Sequence, residues 1–223
     1  MMTYGSCVGS KFYEDGRVRR FHGNTVVSDI TPACSAYNAM CTLHKMVLEA
    51  GLDDYYIQLP ADSYHMTLIQ GINDENRGPN RWPPALPLDA TMKDADDYFT
   101  AAIRRAVLPG KVRMKFHEVK ATKSCVMAYL VPADEAEEKI LRDFRDRAAR
   151  EIGLFIPKHE SYRFHISLAY TRVVPEGEAA ERVAALVAKM NEYLAHQPEF
   201  FIGEPYIAYF RDMFAFSSQR IER

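Results

Sequence analysis

Several chemistries are missing from this 223-residue chain. Its four cysteines, Cys7, Cys34, Cys41 and Cys125, make no CxxC pair and no metal-like spacing, so neither a zinc module nor a disulfide framework organises the fold. Thiols in a reducing compartment are expected instead. There is no G-x-S-x-G, no P-loop and no G-x-G-x-x-G, which removes the hydrolase elbow, the nucleotide triphosphatase and the dinucleotide-binding fold. No apolar run approaches the length of a membrane span, and the first ten residues are too short and polar for the core of a signal peptide, so a cytoplasmic protein is expected. Charge of one sign is not in surplus. With 28 basic against 30 acidic residues the formal net charge is -2, which argues against a partner that is a long nucleic-acid polymer and leaves room for a small anion bound locally.

What is present is an ordinary globular composition, 48% hydrophobic and 26% charged, enough to bury a core. Within it, Tyr64-His65-Met66-Thr67-Leu68-Ile69 recurs in kind as Phe164-His165-Ile166-Ser167-Leu168-Ala169. Both stretches read aromatic, His, apolar, hydroxyl, apolar, apolar. In an extended strand successive side chains alternate, so His65 and Thr67 share one face, as do His165 and Ser167. By the same strict alternation Tyr64 and Tyr170 point to the other face and read as core unless a bulge intervenes.

The surroundings of the two stretches repeat as well. Thr25 to Ile30 reads as a strand, Thr31-Pro32 as a helix start, and Tyr37, Met40, Leu43 and Val47 as the apolar stripe of a helix ending near Gly51. Tyr55 to Leu59 and Tyr64 to Gln70 follow as two short strands. Cys125 to Val131, a helix from Pro132 to Gly153, Leu154 to Ile156 and Tyr162 to Tyr170 read as the second copy. Pro32 and Pro132, like His65 and His165, lie 100 residues apart. Each copy continues into a helix and a strand: Thr91 to Val107, with Thr91 and Asp94 as a capping box, then Val112 to Lys120; and Glu178 to Leu194, then Phe200 to Phe210. The expected fold class is α+β, a duplicated β-α-β-β-α-β unit forming two pseudo-symmetric lobes around a central cleft, with the two His strands near the pseudo-twofold axis. Residues 1–23, where Asp15-Gly16 suggests a hairpin turn, read as an N-terminal extension to a single bilobal domain spanning 24–223. Asn73 to Asp89 reads as the linker between copies, and a connection of that length is usually functional or loose.

The paired H-x-T and H-x-S strands, one per repeat, resemble the two-histidine (2H) phosphoesterase superfamily, which includes RNA 2',3'-cyclic phosphodiesterases and 2'-5' RNA ligase-like proteins. The opening Phe21-His-Gly-Asn24-Thr-Val resembles a bacterial branch of it. A single H-x-T would carry almost nothing. Two in matching strands of a duplicated unit carry a good deal. The resemblance implies His65, Thr67, His165 and Ser167 as catalytic residues, no cofactor, no metal, and a small nucleotide or RNA-end cyclic phosphate as partner.

The chemistry stands on its own grounds. Opening a cyclic phosphodiester requires a base for the incoming water and an acid for the departing ribose oxygen. Two imidazoles can supply both near neutral pH, and two hydroxyls can donate to the non-bridging oxygens. For hydrolysis we assign His165 as base and His65 as acid, an order the motif itself leaves open. Arg163 shares the inward parity of His165 and is a candidate for phosphate neutralisation, with a structural ion pair as the equal alternative. Trp82, the single tryptophan, is a candidate for base stacking, although anchoring the linker is the better expectation. His22, His44, His117, His159 and His196 stand outside the repeat and read as structural. The alternatives to cyclic phosphodiester hydrolysis are a noncatalytic nucleotide or RNA-end binding module and 2'-5' RNA ligation at the same site.

Overall fold

The structure, a computed structural model, describes residues 2–220. The chain runs β1 (Gly23–Asp29), α1 (Ala36–Glu49), β2 (Tyr56–Gln58), β3 (His65–Asn73), α2 (Met92–Ala106) and β4 (Arg113–Ala121). It continues with β5 (Cys125–Pro132), α3 (Glu135–Ile152), β6 (His165–Thr171), α4 (Glu178–Ala195), β7 (Phe200–Phe201), β8 (Tyr206–Phe210) and β9 (Phe216–Ser217). This is the expected mixed α+β chain. The strands form a single antiparallel sheet in the order β7-β4-β5-β6-β3-β1-β8-β9, with β2 pairing β6 off that path.

The order exposes the duplication. β6, β5 and β4 on one side of the junction correspond to β3, β1 and β8 on the other. The last strand of each copy crosses over: β4, which follows α2, pairs β5, and β8, which follows α4, pairs β1. The two halves meet where β3 and β6 touch, through the single pair Met66↔Ile166. These two residues are themselves repeat equivalents, as a pseudo-twofold axis between the strands requires. Both are fully buried, against a core into which the helices send Met40, Leu43, Phe99, Phe144 and Met190.

Local sequence explains most element ends and corrects some expectations. Thr91 caps α2 through the expected box, its hydroxyl accepting from Asp94 N while the Asp94 carboxylate accepts from Thr91 N. α3 ends at Gly153, whose φ of 72° is the left-handed conformation glycine adopts at low cost. The two proline helix starts are not where the helices begin. Pro32 lies in a turn ahead of the N-cap Ser35, and Pro132 closes β5, so that Asp134 caps α3 by accepting from Glu137 N at 2.9 Å. Leu154 to Ile156 forms no strand; Leu154 and Ile156 are buried as loop anchors. Phe200 to Phe210 is divided, because Gly203 and Pro205 interrupt the run between β7 and β8. At the N-terminus the Asp15-Gly16 turn is present, but a single bridge, Phe12↔Val18, closes it in place of a ladder. Among the described residues no helix is long and apolar enough to cross a membrane.

Candidate active site

β3 and β6 each carry a bulge at the equivalent place. Opposite the step Val26–Val27, β3 spends two residues, from Thr67 to Ile69; opposite Val126–Met127, β6 spends two, from Ser167 to Ala169. Leu68-Ile69 and Leu168-Ala169 are therefore both buried in succession, and the alternation changes phase after them. The consequence falls on Tyr170, which faces the same side as His165 and lines the cleft instead of the core. Its counterpart Gln70 does the same. Tyr64, before the bulge, is buried as expected and shares a 3.0 Å hydrogen bond with His44 Nδ1.

The cleft lies at the junction of the two halves and encloses about 350 Å³. His65, Thr67, His165 and Ser167 all line it. Because Met66 pairs with Ile166 in antiparallel register, His65 stands across from Ser167 and Thr67 across from His165. Both imidazoles are tethered identically: His65 Nδ1 donates to Ser63 O at 2.8 Å and His165 Nδ1 to Arg163 O at 2.9 Å. A carbonyl oxygen can only accept, so each ring keeps its proton on Nδ1 when neutral and presents a bare Nε2. The Thr67 and Ser167 hydroxyls make no hydrogen bond among the described residues, which leaves them available as donors. Burial lowers both histidine pKa values, against the carbonyl tethers, which raise them, and His65 is pushed down to about 4. The charge of Lys11 lowers both as well.

Other walls come from segments outside the repeat. Phe216 in β9 packs on His65 with ring centroids 4.2 Å apart, and it continues through Phe210 at 5.0 Å into an aromatic wall. Tyr162 stands 6.1 Å from the His165 ring, held by its hydroxyl, which donates to Thr67 O at 3.3 Å, and by Arg145 stacked on its ring at 4.0 Å. Two cations reach the cleft, Lys11 from the N-terminal extension and Arg81 from the linker, and neither has a carboxylate within ion-pair distance among the described residues.

The two remaining candidates stand elsewhere. Arg163 is drawn outward to pair with Glu118 and lies over the Tyr129 ring at 3.7 Å, so it does not line the cleft; its backbone carbonyl tethers His165 and its charge helps lower the pKa of that ring. Trp82 is buried in the linker, its indole N–H donating to Leu86 O at 3.1 Å and Pro87 O at 3.2 Å with Arg77 over its face, which makes it a loop anchor. None of His22, His44, His117, His159 and His196 lines the cleft. Of the residues that parity missed, Tyr170 carried a signal, the doubled apolar pair Leu168-Ala169. Lys11, Arg81 and Phe216 carried none, since only the docking of distant segments brings them here. Among the described residues no three or more His, Cys, Asp or Glu side chains are grouped as metal ligands.

The chain is similar in overall fold to known structures. A conserved protein of unknown function, ATU0111, from Agrobacterium tumefaciens str. C58 is 26% identical and superposes with a TM-score of 0.86, covering 98% of this chain and 93% of that one. TT0787 of Thermus thermophilus (14% identity, 86% of each chain) and a structure named phosphoesterase (12% identity, 86% of this chain, 88% of that one) each match with a TM-score of 0.44. No curated protein matches. The family model 2H-phosphodiest, described as a domain of unknown function (DUF1868), matches residues 11–125, from Lys11 through the first His strand and into β5. That match spans more than half of the chain, which therefore belongs to the 2H-phosphodiest family, within the two-histidine phosphoesterase-like superfamily.

Proposed function

We propose that the protein is a metal-independent cyclic phosphodiesterase that opens a 2',3'-cyclic or related cyclic phosphodiester of a nucleotide or RNA end. The observation that carries this reading is the pair of imidazoles at the β3–β6 junction, each tethered through Nδ1 and each presenting Nε2 to one cleft beside an unengaged hydroxyl.

Water attacks phosphorus while one Nε2 removes its proton, the bond from phosphorus to one ribose oxygen breaks, and the other imidazole, as imidazolium, protonates that oxygen. Burial keeps His65 neutral down to about pH 4, so its Nε2 is an acceptor in the free protein. That favours His65 as base and His165 as acid, the reverse of the order assigned from sequence. The anionic phosphodiester restores an imidazolium at the second ring by favouring its charged form. Thr67 and Ser167 donate to the non-bridging oxygens, and the Phe210–Phe216 wall offers an apolar face to a base.

The test is turnover of 2',3'-cyclic nucleotides in excess chelator by the wild type, His65→Ala and His165→Ala. Hydrolysis that persists in chelator and falls by about 10²–10⁴-fold in each variant is the expected result. Absence of turnover of any cyclic phosphodiester, with both folded variants still binding nucleotide like wild type, would sink the enzyme reading in favour of a binding module.

A further inference from the structure

We infer that Lys11 is a phosphate-binding residue, and that the N-terminal extension completes the two-histidine cleft by inserting an ammonium against the non-bridging oxygens of the reacting phosphate.

The extension is docked firmly enough to place a side chain. Gly5 N donates to Arg172 O at 2.9 Å, Ser6 N to Lys123 O at 2.8 Å, and Val174 N to Thr3 O at 2.8 Å, so residues 3–6 run along the end of β6 and the turn before β5. A side chain at Gly5 would not fit, since a Cβ there would lie 1.9 Å from Thr171 O. Farther on, Phe12 is fully buried in a satellite cluster with Phe21, Ile57 and Met213. Lys11 sits between these two anchors and lines the cleft.

Its surroundings suit an anion that is not supplied by the chain. Lys11 Nζ lies 3.4 Å from the Tyr170 hydroxyl, to which it donates, and over the rings of Tyr170 at 5.0 Å and Phe21 at 5.2 Å. Among the described residues no carboxylate pairs with it. A largely buried ammonium held by two ring faces and one hydroxyl keeps unmet electrostatic demand. Burial works against its charge, the Tyr170 hydroxyl accepts a hydrogen bond from it, and the net direction of its pKa is upward from the ordinary lysine value. Its charge lowers the pKa of both His65 and His165, which places it near both reacting imidazoles. Tyr170, turned into the cleft by the β6 bulge, is the positioning residue that aims it.

The role in turnover rests on the function proposed above, whereas the binding test does not. Inorganic phosphate is titrated calorimetrically into the full chain at neutral pH and low salt, comparing wild type, Lys11→Met and Lys11→Arg. Saturable binding that weakens about tenfold or more in Lys11→Met and stays within about threefold in Lys11→Arg is expected, on the strength of a charge-assisted contact. Equal affinity in wild type and Lys11→Met overturns the inference, as does the absence of saturable phosphate binding to the wild type. A measurement on the unmutated sequence covers a Lys11→Met that does not fold. With lysines reductively ¹³C-methylated, which retains their charge, the Lys11 methyl resonance must move on phosphate titration, and a resonance that stays fixed overturns the inference. Phosphate binding that depends on Lys11 without turnover of any cyclic phosphodiester would remove the proposed activity and leave the anion site standing.

Discussion

At the residue scale, the two catalytic candidates differ from ordinary histidines in one measurable way: both are less basic. Burial is the main cause, and the Lys11 ammonium adds to it. Because kcat/KM reports the free enzyme's acid and base, both limbs of its pH profile should lie below the ordinary histidine value of about 6.5, whichever ring is the base. A bell centred above pH 7 would contradict this arrangement. The same burial has a stability consequence. Between about pH 6.5 and 4 the unfolded chain protonates His65 while the folded chain does not, so stability falls as pH drops through that window. Above about 6.5 the ring is neutral in both states and contributes nothing. The loss attributable to His65 is at most about 3 kcal/mol, and urea denaturation at pH 7 and pH 4.5 should show it diminished in His65→Gln.

At the scale of elements, the site depends on how β1 grips β3. Asn24 in β1 is buried, accepting from Ile72 N at 2.8 Å and donating to Asp96 in α2 at 2.9 Å, so one side chain ties two strands and a helix. The close approach has a backbone cause. Gly71 faces Asn24 with no room for a side chain, since a Cβ would stand 2.2 Å from Asn24 Oδ1 and 2.4 Å from its carbonyl oxygen. Asn24→Leu should cost about 1–3 kcal/mol by leaving the buried Ile72 N–H without its acceptor, read as a lower urea midpoint at unchanged slope. Loss below about 0.5 kcal/mol would show that the strands hold register without it. On the second half, Arg145 has a comparable position: it is buried in α3, donates to Leu68 O at 2.5 Å and His159 O at 3.2 Å, and so supports the bulge of the opposite strand.

At the scale of the whole molecule, the crossed strands make the halves interdependent. Each copy surrenders its last strand to the other, and β4 brings Met114 and Val119, both buried, to a core that β5 must complete. Residues 1–122 and 123–223 expressed separately should therefore give circular dichroism of largely unfolded chains, and mixing them should restore a cooperative melt. Independent folding of either fragment would mean that the crossover adds little. The cleft is a product of the same assembly. At the centre of the sheet the halves join where β3 meets β6, and the space beside that junction is closed by the extension, the linker and the C-terminal strands, so one long chain supplies a cavity that neither copy encloses alone.

Duplication and the two histidine strands were legible in the residues themselves. The hundred-residue offset, the two H-x-T/S strands and the capped helices α2 and α3 rest on local alternation, helical spacing and cap chemistry, all short-range properties that a sequence carries openly. Even the bulge was written in Leu68-Ile69 and Leu168-Ala169, two breaks of alternation at matching places. Tertiary structure alone decided the rest. Arg163 left the cleft because Glu118 on β4, two strands away, claims its guanidinium, and Trp82 because carbonyls of its own loop accept its N–H. Lys11 and Phe216 entered because distant segments dock against β6 and β8, and no local pattern encodes which far-off side chain fills a space that only the assembled sheet defines.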